Sequence, residues 1–198
     1  MFRAMMMTMA ASGAVAALAE DLKPVSAFAT ISDRSERAAA LFREAARVIE
    51  HPRCLNCHPA DRTPTQGDDL RAHVPMIRAD EEGHGPPGLP CNTCHQAQNT
   101  ETNVRPIESI PGHEHWMLAP SSMGWQGMSA GEICHQVKDP ARNGGRTLEK
   151  IREHMTVDTL VGWAWNPGSG RTPAPGTQKA FGELIAAWIE AGASCPDK

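Results

Sequence analysis

Two copies of one five-residue pattern constrain this chain more than anything else in it: Cys54-Leu55-Asn56-Cys57-His58 and Cys91-Asn92-Thr93-Cys94-His95. Each offers two thiols separated by two residues, with a histidine directly after the second. Two intervening residues set the thiols at the separation of the vinyl groups of a haem, and the adjoining imidazole can then reach the iron from the same face. Three rivals exist. Two CxxC pairs could supply four thiolates to a zinc ion. A thioredoxin-like redox pair wants a strand before it, whereas a helical pattern leads into the first pair here. A disulfide across two residues is an unusual structural staple. Repetition, each time with the histidine attached, favours haem. Cys54, Cys57, Cys91 and Cys94 are therefore expected to attach two haem c groups, with His58 and His95 as proximal iron ligands. The copies lie 37 positions apart, too close for two tandem cytochrome domains, so both groups should share one fold.

The N-terminus suggests the compartment in which such attachment would occur. A single early cation, Arg3, precedes an apolar run of small residues that closes on Ala17-Leu18-Ala19, directly before Glu20 and Asp21. That is the form of a secretory signal peptide cut after Ala19. The apolar run is short for a membrane span, and acidic residues follow at once, so no stable membrane insertion is expected after cleavage. The formal net charge is -4, with no basic face to advertise nucleic acid.

The mature chain reads as mostly α and loop-rich, a compact cytochrome c-like fold with two covalently bound haems. Its expected divisions are 1–19 signal peptide, 20–30 flexible lead-in and 31–198 a single dihaem domain. With 17 Gly and 16 Pro it exceeds average usage of both, which predicts many turns. Five Trp, four Phe and no Tyr leave a thin core that a large apolar cofactor would help to fill. A helix is predicted from Ser32 or Asp33, with Leu41, Ala45, Val48 and Ile49 on one face and Pro52 just past its end. From Pro59 to Pro90, and again from 99 to 128, the chain reads as loop. Ser129 and Glu132 stand in capping-box order before a short helix carrying Ile133, Cys134 and Val137 on one face. A further helix carries Leu148, Ile151, His154 and Met155. A last one starts at Thr177, carries Phe181, Leu184, Ile185, Trp188 and Ile189 in amphipathic spacing, and ends near Gly192. No strand with convincing alternation is visible.

Cysteine arithmetic leaves Cys134 and Cys195 after four are assigned to haem, an even pair in an exported chain and hence an expected disulfide. Gly131 to His135 imitates the haem motif, but a glycine stands where the first thiol would be, and His135 falls off the apolar face. The sixth ligands are harder to read. Iron that only carries electrons prefers a second His or Met, whereas iron that binds substrate keeps an open position. His73, in the loop bridging the motifs, His154, on the inner stripe of its helix, Met117 and Met123 are the candidates. His51, His84, His113 and His115 sit in polar or turn-rich stretches and are assigned to solvent.

Several longer strings carry a resemblance: "CLNCHPADRTPTQGDDLRAH", "WMLAPSSMGWQGMSAGEIC", "VKDPARNGGRTL", "LVGWAWNPGSGRTPAPGTQKAF" and the terminal "CP". Across residues 40 to 197 the chain resembles a bacterial family often labelled isoquinoline 1-oxidoreductase subunit, whose members look like exported dihaem cytochromes. The resemblance implies a redox partner, a molybdenum hydroxylase of the xanthine dehydrogenase type with molybdopterin and iron–sulfur subunits. The family's attachment cysteines match Cys54, Cys57, Cys91 and Cys94, with His58 and His95 proximal. The hydroxylation chemistry would belong to the partner, since nothing in this chain resembles molybdopterin-binding or iron–sulfur sequence. The expected function is a periplasmic electron-transfer protein without catalytic residues of its own. The alternatives are a dihaem peroxidase-like enzyme, with Glu82 or His84 as distal acid–base groups, and a zinc-stabilised binding module.

Overall fold

Helix α1, Arg34–Ile49, forms where alanine-rich sequence with an apolar stripe follows a capping aspartate: the Asp33 carboxylate accepts the Glu36 amide. Ala38, Leu41, Phe42, Ala45, Val48 and Ile49 are buried along that stripe. Three residues later Pro52 opens a single-turn helix, α2, Pro52–Leu55, at the position where its missing N–H costs nothing. The computed structural model describes residues 21–104 and 107–197. The signal peptide expected over 1–19 lies outside the described residues.

The remaining helices are α3, Ala130–Lys138, α4, Leu148–Val157, the single turn α5, Thr159–Gly162, and α6, Gln178–Glu190. Ser129 and Glu132 form the expected reciprocal capping box, and Thr147 and Thr177 cap α4 and α6. At its other end α6 closes with the amide of Ala193 on the Trp188 carbonyl and that of Gly192 on the Ile189 carbonyl. Gly192 takes the left-handed φ of 99° that this closure requires. Helix α6 packs against both α1 and α4, and Trp188 meets Phe42 with ring centroids 4.9 Å apart. The Cys134–Cys195 disulfide ties α3 to the tail beyond α6, with Cα atoms 5.6 Å apart.

The chain is thus mostly α and loop-rich, and two features differ from the sequence reading. The lead-in is packed: Leu22 and Phe28 enter the core, while the Lys23 amide donates to the Glu44 carboxylate. Two apolar anchors around a short turn hold this segment against α1. Strands are also present, as two antiparallel pairs of two residues each: β1, Thr65–Gln66, with β2, Arg71–Ala72, and β3, Thr100–Glu101, with β4, Ser109–Ile110. Two residues are too few for alternation to register in a sequence.

The core lies among α1, α3, α4, α6 and the lead-in. No described residue between 60 and 118 belongs to it. No described helix is long and apolar enough to cross a membrane.

Candidate functional site: two histidine-paired cavities

Each CxxCH motif folds into the same turn. The amides of Cys57 and His58 both donate to the Cys54 carbonyl, at 3.1 Å each. Those of Cys94 and His95 both donate to the Cys91 carbonyl, at 3.2 and 3.0 Å. Proline prepares both turns, Pro52 as first residue of α2 and Pro90 just before the second motif. The backbone of the first motif is tied down further, with the Ala119 amide on the Cys57 carbonyl and the Trp125 amide on that of His58.

One cavity opens beside each motif. The first is lined by Cys54, Cys57, His58, Ile151 and Phe181, and its walls include Met117, Met123 and His154. The second is lined by Cys91, Cys94, His95, Ile107 and Ile110, and its wall includes His73. Cys57, Trp116, Leu118 and Trp163 line both, so the cavities share one wall. Trp116 and Trp163 meet edge to face in that wall, centroids 5.4 Å apart.

Four histidines at these cavities are held in one way. His58 Nδ1 lies 2.7 Å from the Met123 carbonyl and His95 Nδ1 2.8 Å from that of Pro111. His73 Nδ1 lies 2.7 Å from the Pro75 carbonyl, and His154 Nδ1 2.8 Å from the Asp158 carboxylate. Each of these oxygens can only accept, so each Nδ1 carries a proton and Nε2 is the nitrogen left to face a metal. Burial pushes the imidazoles of His58 and His95 down to about 4, so both are neutral at pH 7. Each also stacks flat on an indole, His58 on Trp125 and His95 on Trp116.

The local folds that make these contacts are short. A 3-10 turn over Ser121–Met123 presents the Met123 carbonyl, held by Gln136, whose Nε2 donates to the carbonyls of Ser122 and Gly124. Strand β4 delivers Pro111, and the β1–β2 hairpin brings His73 back over the second motif. The rings of His73 and His95 are 6.0 Å apart.

The other candidates separate by placement. Met123 lines the first cavity, but its own carbonyl stands behind the His58 ring. Met117 lines the same cavity. His113 is committed at both nitrogens, to Thr159 Oγ1 and the His115 amide. His51 is half-buried and caps α2 with Nδ1, not the solvent-facing role expected of it. His84 pairs with Asp80 on the surface, and His135 is exposed on α3. Asp80, Glu82 and His84 cluster at the exterior, and neither Glu82 nor His84 lines either cavity.

The donor set can be tested against the candidate groups. Among the described residues, no three of the motif thiols and imidazoles converge on one ion position, as a zinc site would need. Burial pushes the Cys54 thiol up to about 12 and the Cys57 thiol up to about 11, which disfavours the thiolate that redox exchange uses. A covalently attached haem fits better: two thiols and one oriented imidazole on a turn, beside an apolar cavity with another histidine in its wall.

Sequence reasoning missed Arg53, whose side chain is wholly buried. It pairs with Asp68 at 2.6 Å and lies over Trp163, 5.8 Å from the ring centroid. Compared with protein-family models, curated proteins and solved structures, the chain finds no match in any of the three.

Proposed function

We propose that this chain is an exported, periplasmic dihaem c-type cytochrome that carries electrons from a partner dehydrogenase to a downstream acceptor. The observation that carries the reading is a second oriented histidine in the wall of each cavity, His154 in that of His58 and His73 in that of His95, beside one CxxCH turn each. Cys54 and Cys57 would hold one haem, Cys91 and Cys94 the other, in a cytochrome c-like fold. A haem so bound supplies a one-electron ferric/ferrous couple. The protein supplies the rest. Carbonyl and carboxylate partners fix the four imidazoles, the apolar walls exclude water, and the shared wall of Cys57, Trp116, Leu118 and Trp163 keeps the two centres adjacent.

The disulfide fits an oxidising compartment, which supports export. Val74 and Leu89, exposed in the lining of the second cavity, and Cys94, also exposed, give that site an apolar edge that a partner could meet. A molybdenum hydroxylase of the xanthine dehydrogenase type is the partner class proposed from the sequence resemblance alone. A peroxidase-like reading would need an open iron flanked by acid–base groups, and Glu82 and His84 stand away from both cavities.

Purified mature protein should give two c-type haems per chain in a pyridine haemochrome assay, and a low-spin resting ferric spectrum. His73→Ala and His154→Ala should each turn one haem high-spin and leave the other unchanged. Colourless protein from a host with a working maturation system would end the reading. An unchanged spectrum in either variant would remove that histidine.

A further inference from the structure

Beyond the two CxxCH motifs, a second short sequence occurs twice, and each copy reaches one cavity. Gly145-Arg146-Thr147 follows Gly144, and Gly170-Arg171-Thr172 follows Gly168-Ser169. Gly144 and Gly145 both have φ of 74°, and Gly168 and Gly170 have φ of 81° and 75°. These left-handed conformations favour glycine and set the direction in which the arginine leaves. The threonines anchor the far side of each turn: Thr147 caps α4, while Thr172 Oγ1 donates to the Asp68 carboxylate at 2.6 Å.

Arg146 lines the first cavity and Arg171 the second. Their guanidinium groups are aimed by neutral partners. Arg146 Nη1 donates to the Asn143 carbonyl at 3.1 Å, and Asn143 is itself buried and bonded to the Arg146 backbone. Arg171 donates to Ser109 Oγ and, at 3.1 Å, to the Ile107 carbonyl. Neither lies in an ion pair with a carboxylate among the described residues, in contrast to Arg53 with Asp68 or Arg62 with Glu81. Of the acidic groups near Arg171, Glu108 favours its charge most yet makes no ion pair with it, while Asp68 is engaged with Arg53 and Thr172 and Glu101 with Ser169. In the wall of the second cavity the Gln66 Nε2, a buried donor, also lacks a partner. Each cavity therefore has in its wall an arginine whose hydrogen bonds go to neutral oxygens and not to a carboxylate.

We infer that Arg146 and Arg171 are carboxylate-binding residues, one for each cavity, that hold the acid groups of the tetrapyrrole seated there. The inference rests on the dihaem reading. A guanidinium presents paired N–H donors in a plane that matches a carboxylate, so it neutralises the group and fixes its orientation together. A cation on the carboxylate also disfavours the more positive ferric state, so removing it should lower that haem's midpoint potential.

The test is potentiometric titration of the holoprotein, resolved into two one-electron components. Arg171→Gln should shift one component and Arg146→Gln the other. Each shift should approach tenfold in the ferric/ferrous equilibrium, about 59 mV downward for one electron. Arg171→Lys and Arg146→Lys, which keep the charge but lose the paired donors, should fall between wild type and the glutamine variants. Should a glutamine variant fail to fold, the lysine variants decide. Components that stay put while two haems per chain remain attached would overturn the inference. So would single variants that move both components equally, because that is a general charge effect. Wild-type protein without haem would instead overturn the parent reading, which the haemochrome count detects separately.

Discussion

Removing the disulfide should cost several kcal/mol of stability and leave both CxxCH cavities untouched. Cys134 and Cys195 are separated by 61 positions, and the link is the chain's long-range covalent constraint on the helical core. The haem thioethers would bridge only neighbours three residues apart, so they add almost nothing to closure of that loop. Chain-entropy reasoning for a loop of this size gives about 4 kcal/mol at 25 °C. For a chain in this size class, each kcal/mol moves the melting temperature by about 2–4 °C, so the expected drop is roughly 8–16 °C. The perturbation is Cys134→Ala with Cys195→Ala. Thermal melts should be followed by far-ultraviolet circular dichroism, alongside the visible absorption spectrum. Neither cysteine lines a cavity, so the spectrum and both midpoints should match wild type. A drop under about 3 °C would refute the loop-closure reasoning. A changed spectrum would refute the separation between core staple and haem sites.

Three further outcomes follow from the geometry. Denatured mature protein should show no thiol reactive toward Ellman's reagent, with four cysteines in thioethers and two in the disulfide. Four reactive thiols per chain would contradict haem attachment at both motifs. Gln136→Leu strips the donor from the Ser122 and Gly124 carbonyls, each buried unpaired group costing about 1–3 kcal/mol, partly offset because Gln136 Oε1 itself lacks a partner. It should also loosen the Met123 carbonyl behind His58, weaken that ligand's basicity and raise one midpoint; a lower melting temperature with unmoved midpoints would reduce Gln136 to a packing role. Cys91→Ser with Cys94→Ser should cost amide protection in residues 60–118 during hydrogen exchange and spare α1 and α6, and unchanged protection would show that the segment orders itself.

The helices were legible because their signals are local. Asp33, Ser129 and Thr177 stand at observed caps, and the apolar spacing of α1 and α6 faces the core as its period requires. The two motifs were legible for the same reason: five contiguous residues specify the turn. What the sequence hid depends on contacts across long separations. His73 and His154 could be named as candidates, yet their places in the walls of the two cavities depend on a two-residue hairpin and on the seating of α4. Met123 has the chemistry of a ligand, and only the fold shows its carbonyl behind the proximal ring. Arg146 and Arg171 left a signal, the repeated Gly-Arg-Thr, but a tripeptide gains meaning only when both copies are seen to reach a cavity.

The division of the chain into a helical half and a loop half has a physical logic that joins these points. Folding must offset roughly 1–2 kcal/mol of backbone entropy per residue, and burial of apolar surface is the main term available to do so. Helices α1, α3, α4 and α6 bury such surface against one another. The stretch from 60 to 118 does not: Ile77, Leu89, Ile107, Ile110 and Trp116 turn toward the second cavity, and none belongs to the core. A segment built that way needs an occupant to pack against, and a small ion would leave those side chains without partners. The first motif sits where α1 hands the chain to α2, on the border of the core, while the second sits inside the coreless segment. One attached group would thus complete the wall of an existing core, and the other would serve as the core of its own half. The wall they share, Cys57, Trp116, Leu118 and Trp163, is where the two halves meet, so the contact that joins the fold is also the one that brings the two sites together.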